Sequence, residues 1–233
     1  MPPVKILACE VVLDAMRPFL SEDIVTETVP MSLHVNPKAL RDDLQVRIDA
    51  ADGQFDPIVL GFGLCSQATV GLRAACSRLV VARTDDCIGI FLGSRDAYRS
   101  QLAEEPGTYF LTRGWAGADI PTPFTEYDRA KKRWGAERAK RLLDSMLKHY
   151  RRLVYINTPG EDLVDERHDF AKDASERFSL RYEELPGDTA LIEELVRGPW
   201  GERCVVVEPG EKVVLGSFFE NKTESRDEDG RNA

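Results

Sequence analysis

Short apolar runs recur along this chain, and most are followed by a turn and then by apolar residues at helical spacing. VKILAC at 4–9 predicts a strand, and EVVLDAMRPFL at 10–20 predicts the helix after it. A polar interval leads to PKALRDDLQVRIDAA at 37–51, where Leu40, Leu44 and Ile48 fall four apart on one helical face. Asn36 is the expected cap of that helix, with Pro37 at its first position, where a missing N–H costs nothing.

The same order repeats twice more. FDPIVLGFG at 55–63 predicts a strand and its exit, with QATVGLRAAC at 67–76 as the helix. SRLVVARTDDC at 77–87 predicts a strand ending in an acidic turn, followed by a helix around DAYRSQLAEE at 96–105. Gly61 and Gly63 leave the second exit free for positive φ or for close approach of a ligand. Further along, TYFLTRGW predicts an aromatic strand ending at Gly114 and Trp115, a helix crosses residues 125–150, and RRLVYINTPG adds a strand. FSLRYEELPGD leads into a helix at TALIEELVRG, and RCVVVEPGEKVVLG predicts a terminal hairpin around Pro209 and Gly210. The last residues, 220–233, carry almost no apolar content and predict a disordered tail.

Repeated strand–turn–helix order predicts an α/β fold: a mostly parallel sheet with helices on both faces, in a three-layer, Rossmann-like architecture. Residues 1–219 form the expected domain, with room for a second, smaller lobe beginning near residue 120.

Composition narrows the function classes. A formal charge of -9 argues against a binder of nucleic-acid backbone, and the basic run RAKKRWGAERAKRLLDSMLKHYRR reads as a charged helix face. Apolar runs all fall short of the roughly 20 residues that cross a bilayer. Five cysteines are too few for a disulfide framework, and MPPVKILACE lacks the pattern of a signal peptide, so a cytoplasmic protein is expected.

The cysteines carry the candidate chemistry. Cys9, Cys65 and Cys87 each follow a predicted strand, and the carboxyl ends of parallel strands converge on one crevice. Thiolates are strong ligands for soft metals, so these three are the candidate ligands of zinc or iron, with a fourth position for water or substrate. The bland alternative is three small core residues. Cys76 and Cys204 read as packing residues. Glu10 and His34 are the candidate proton-handling groups. Arg113 would hold an anionic group of the ligand and Trp115 would supply a stacking wall, if TYFLTRGW ends beside the crevice. GFGLCSQATVG misses the dinucleotide-binding pattern because position 66 is Ser.

Cys9-Glu10, LHVNP at 33–37, GFGLC at 61–65, DDCIGIFLG at 85–93 and TYFLTRGW at 108–115, taken in order, resemble the DUF1638 family of bacterial and archaeal proteins of unknown function. The resemblance implies a cytoplasmic α/β domain with three recurring cysteines, to which Cys9, Cys65 and Cys87 correspond. It also implies a context of corrinoid-dependent methyl metabolism, and so a corrinoid as a further cofactor and a corrinoid-system protein as a partner. Where the family pattern has glycine after the first two cysteines, this chain has Glu10 and Ser66. The expected function is a metal-dependent, zinc-holding protein that acts on or carries a small polar metabolite. The alternative is a non-catalytic accessory protein for a metal, a corrinoid or another small molecule. Turnover and oligomeric state are left open by the sequence.

Overall fold

The computed structural model describes residues 2–116, 122–158 and 166–219. The tail expected at 220–233 lies outside them.

Strand β1 (Val4–Cys9) buries its last four residues, and helix α1 (Glu10–Met16) leaves directly from its end. Strand β2 (Ile24–Val29) returns parallel to β1 and ends beside it, with Val29 opposite Cys9. No strand is predicted there from sequence, because an edge strand buries only part of one face and IVTETV lacks a long apolar run. Helix α2 (Pro37–Ala51) starts as expected, with the Asn36 side chain accepting from the Ala39 amide at 3.1 Å and Leu40, Leu44 and Ile48 buried.

Strand β3 (Ile58–Gly61) pairs parallel on the other side of β1, and β4 (Leu79–Ala82) pairs parallel with β3. Helices α3 (Ile88–Phe91) and α4 (Arg95–Glu104) follow. Next come β5 (Thr108–Thr112), α5 (Pro123–Trp134), α6 (Ala136–Leu147), β6 (Arg152–Asn157), α7 (Glu166–Arg177) and β7 (Arg181–Pro186). Helix α8 (Ala190–Arg197) leads to β8 (Cys204–Val207), which pairs antiparallel with β4.

The strands form two sheets. One has the order β2-β1-β3-β4-β8, and the other is β5-β6-β7, parallel throughout. The fold is therefore α/β with mostly parallel strands, as expected, although its strands divide between sheets. Apolar runs show that strands are buried but not which of them pair. Alternation along β5 and β6 explains how both faces of the second sheet are covered. Phe110, Val154 and Ile156 join the core of the first sheet, whereas Leu111, Leu153 and Tyr155 join a second core with Phe124 and Leu143. Trp115 packs against both cores.

Three expected elements differ. Residues 67–76 form turns instead of a helix, because their backbone groups bond elsewhere. Asp52 accepts from the amides of Ala75, Cys76 and Ser77, while Gly71 donates to the Val213 carbonyl. The helix across 125–150 is two helices, broken at Gly135 where φ is 83°. The terminal hairpin lacks its second strand: β8 pairs with β4, and after the turn Lys212 bridges Arg73. Helix α7 has no counterpart in the sequence prediction, because ERHDFAKDASER is mostly charged and buries only small residues and His168.

Candidate functional site

The chain runs from β1 to β2 on one side and then crosses to β3 on the other, so the strand order switches direction between β1 and β3. In an open α/β sheet, ligands bind beyond the strand ends at that point. Cys9 ends β1, Cys65 follows β3 by four residues, and Cys87 follows β4 by five.

The exits of β3 and β4 are tied together. Leu64 donates its amide to the Thr84 carbonyl at 2.8 Å, and Cys65 donates to the Asp85 carbonyl at 3.1 Å. Gly63 makes this closeness possible, since a Cβ there would overlap the hydroxyl and carbonyl of Thr84. A Cβ at Gly61 would fall 2.6 Å from that of Ala8. Neither glycine has positive φ, and each is closely approached by the chain itself. Positive φ falls instead on the three residues that follow, Cys65 (46°), Ser66 (55°) and Gln67 (65°). Each departs from the preferred backbone at a cost of roughly 1–2 kcal/mol. Such strain persists where surrounding structure fixes it, and it gathers at functional sites.

The result is a cluster of three thiols. Cys65 Sγ and Cys87 Sγ are 3.6 Å apart, and Cys9 lies near enough to Cys87 for the two thiols to titrate together. Interaction with Cys87, acting against burial and aided by His34, brings the Cys9 thiol down to about 5. Cys87 moves the other way: the contact with Cys65, interaction with Cys9 and burial hold its thiol well above the ordinary value. The thiols thus titrate as one coupled group, whose first proton leaves more readily and whose last leaves less readily than that of an isolated cysteine. His34 stands over Phe62 with ring centroids 5.8 Å apart, and its Nε2 is buried without a hydrogen-bond partner.

Above the thiols lies a cavity of about 400 Å³, within the usual range for small-molecule sites. His34, Cys65 and Cys87 line one side of it, and Tyr109, Phe110 and Trp115 supply aromatic wall. Asp85 and Asp86 also face it. Burial works to raise Asp85, but hydrogen bonds from Arg95 (3.1 Å) and Arg99 (3.0 Å) hold its carboxyl below the usual range. Burial pushes the Asp86 carboxyl up, even though Tyr98 donates to it at 2.8 Å and Ile88 donates its amide at 2.8 Å.

Of the residues singled out in the sequence, the structure brings together Cys9, Cys65, Cys87, His34 and Trp115. It leaves out two. Glu10 is exposed in the first turn of α1 and does not line the cavity. Arg113 lines a separate cavity of about 310 Å³. Tyr109 and Phe110 are part of the site without having been singled out, because their aromatic run reads equally well as core. Among the described residues, no group of three or more His, Cys, Asp or Glu side chains is placed so that it could hold a metal ion as it stands.

The fold and site define an α/β protein with a thiol-lined cavity at the switch point of a mostly parallel sheet. The family model described as "Protein of unknown function (DUF1638)" matches residues 28–196, and the chain belongs to that family. His34, Cys65, Cys87 and Trp115 fall inside the match, and Cys9 precedes it. Neither the curated proteins nor the solved structures give a match. Among the described residues, no helix is long and apolar enough to cross a membrane.

Proposed function

We propose that Cys9, Cys65 and Cys87 hold a soft divalent metal ion, zinc, and that a small polar molecule meets it in the adjoining cavity. The observation that carries the reading is the convergence of three thiols from three strand exits beside His34, whose buried Nε2 lacks a partner. An orphaned buried ring nitrogen at the cavity wall is costly unless a bound water or ligand atom meets it. One pair has the spacing for such an ion: at a zinc–sulfur distance of about 2.3 Å, two ligands of one tetrahedral ion are about 3.8 Å apart, close to the 3.6 Å between Cys65 and Cys87, and Cys9 would have to close on that pair to complete the set.

When bound, the ion would supply Lewis acidity and keep a coordinated thiol or water deprotonated near neutral pH. Cys9, Cys65 and Cys87 would fix its position. His34 is the group set to take or hold a proton at the cavity floor, a role that exposed Glu10 does not share. Tyr109 and Trp115 would orient the apolar part of the ligand and exclude water. A structural zinc site is normally closed by protein, whereas two of these thiols border a cavity. That difference favours a site that works on a ligand over a purely structural one.

The test is metal analysis of the full chain purified anaerobically without an affinity-tag metal. The expected result is close to one zinc per chain, lost in the Cys9→Ser/Cys65→Ser/Cys87→Ser variant and kept in His34→Gln, with all three proteins folded. Loss of metal in His34→Gln as well would make His34 a fourth ligand and favour the accessory, carrier reading. A folded wild type that neither contains nor takes up metal would overturn both.

A further inference from the structure

We propose that the second cavity, which contains none of the thiols, binds the carboxylate or phosphate of a small organic anion through Arg113, Arg167 and the hydroxyl of Thr112. This cavity of about 310 Å³ opens at the carboxyl end of β5, the edge at which parallel strands present ligand sites.

Three observations carry the assignment. Thr112 lines the cavity, is 1% exposed, and its Oγ1 has no hydrogen-bond partner. A buried hydroxyl with nothing to bond to is uncommon and unfavourable, and an oxyanion in the cavity would accept from it. Next, two guanidinium groups share the wall, Arg113 half-buried and Arg167 at the exposed mouth. The planar fork of arginine suits carboxylate and phosphate oxygens. Asp14, in the same wall, accepts from Arg17 at 2.8 Å. Finally, Val11, Ala15 and Phe91 make the remaining wall apolar, and the space exceeds what a bare inorganic ion fills. The occupant therefore has an anionic head and a short apolar body.

This cavity is separated from the thiol cavity by a partition. Phe91 lines the second cavity, Trp115 lines the first, and the two rings meet edge to face with centroids 5.3 Å apart. Gly114, between Arg113 and Trp115, lies so close to Val11 that a Cβ would overlap that side chain. The inference is independent of whether the thiols hold metal.

Calorimetric titration of the full chain with butyrate and with inorganic phosphate tests it. At least one probe should bind 1:1 with saturation in the millimolar range or tighter, butyrate if the head is a carboxylate and phosphate if it is a phosphate. Thr112→Val and Arg167→Met should each weaken that probe by about tenfold, the loss expected for one hydrogen bond to a charged group. Thr112→Val should melt at the same temperature as the wild type or higher, since it removes an unpaired buried hydroxyl. No saturable binding of either probe, or binding unchanged in both variants, overturns the proposal.

Discussion

Cys65 and Cys87 sit 21 intervening residues apart in the chain, yet their sulfurs lie 3.6 Å apart, because the exits of β3 and β4 are joined by the Leu64–Thr84 and Cys65–Asp85 backbone hydrogen bonds. The two thiols differ in access. Cys65 is half-buried and Cys87 is 5% exposed, while Cys9 is fully buried.

That gradient sets an order of chemical modification. In metal-free protein, iodoacetamide should alkylate exposed Cys76 first and Cys65 next, leaving Cys9 and Cys87 largely intact in the folded state. Addition of zinc should slow Cys65 by at least about tenfold and leave Cys76 unchanged, since thiolates bound to metal lose nucleophilic freedom. Peptide mass spectrometry of timed samples checks this, with Cys76 as the internal control. Equal protection of Cys65 and Cys76 would point to general tightening instead of ligation.

Neighbouring backbone positions should respond in opposite directions to substitution. Gly63→Ala forces a methyl against the Thr84 backbone and should lower unfolding free energy by about 1–3 kcal/mol, the range for overpacking. It should also weaken metal retention, because Gly63 is two residues from Cys65. Gln67→Gly should raise stability by up to about 1 kcal/mol, since Gln67 is exposed and held at φ 65°, a conformation glycine adopts without penalty. Urea denaturation of the two variants measures both effects.

A pH-dependent contribution is expected at the edge of the first sheet. A hydrogen bond from Lys5 at 2.7 Å, acting against burial and joined by Arg47, lowers the Glu27 carboxyl below its usual value. A folded-state value below the unfolded one means stability that is present above the unfolded value, about 4.3, and lost as pH falls through the folded value. The denaturation midpoints of wild type and Glu27→Gln should differ at pH 7 and converge as pH falls below about 4. A constant gap across that range would assign the effect to packing.

How much of this was legible beforehand differs from element to element. The parallel strands β1, β3 and β4 read directly from their apolar runs, and so did the thiol at each exit, because burial on both faces leaves an unbroken signature. Asn36 and Pro37 marked the start of α2 by local hydrogen-bond chemistry. The segment after Cys65 folds otherwise than its pattern predicts because Asp52 and Val213, distant in sequence, take the bonds that a helix would have kept within itself.

By itself, then, the amino-acid sequence determined the α/β class, the ends of the main strands and the candidate thiols, all of which depend on local periodicity and residue chemistry. Tertiary structure decided what local pattern cannot encode: which strands share a sheet, and which side of a packed wall each side chain faces. Arg113 and Trp115 show the physical reason. Two residues apart in one loop, they line different cavities because the Phe91–Trp115 pair stands between those cavities, and that contact exists only once β5 has packed against the first core.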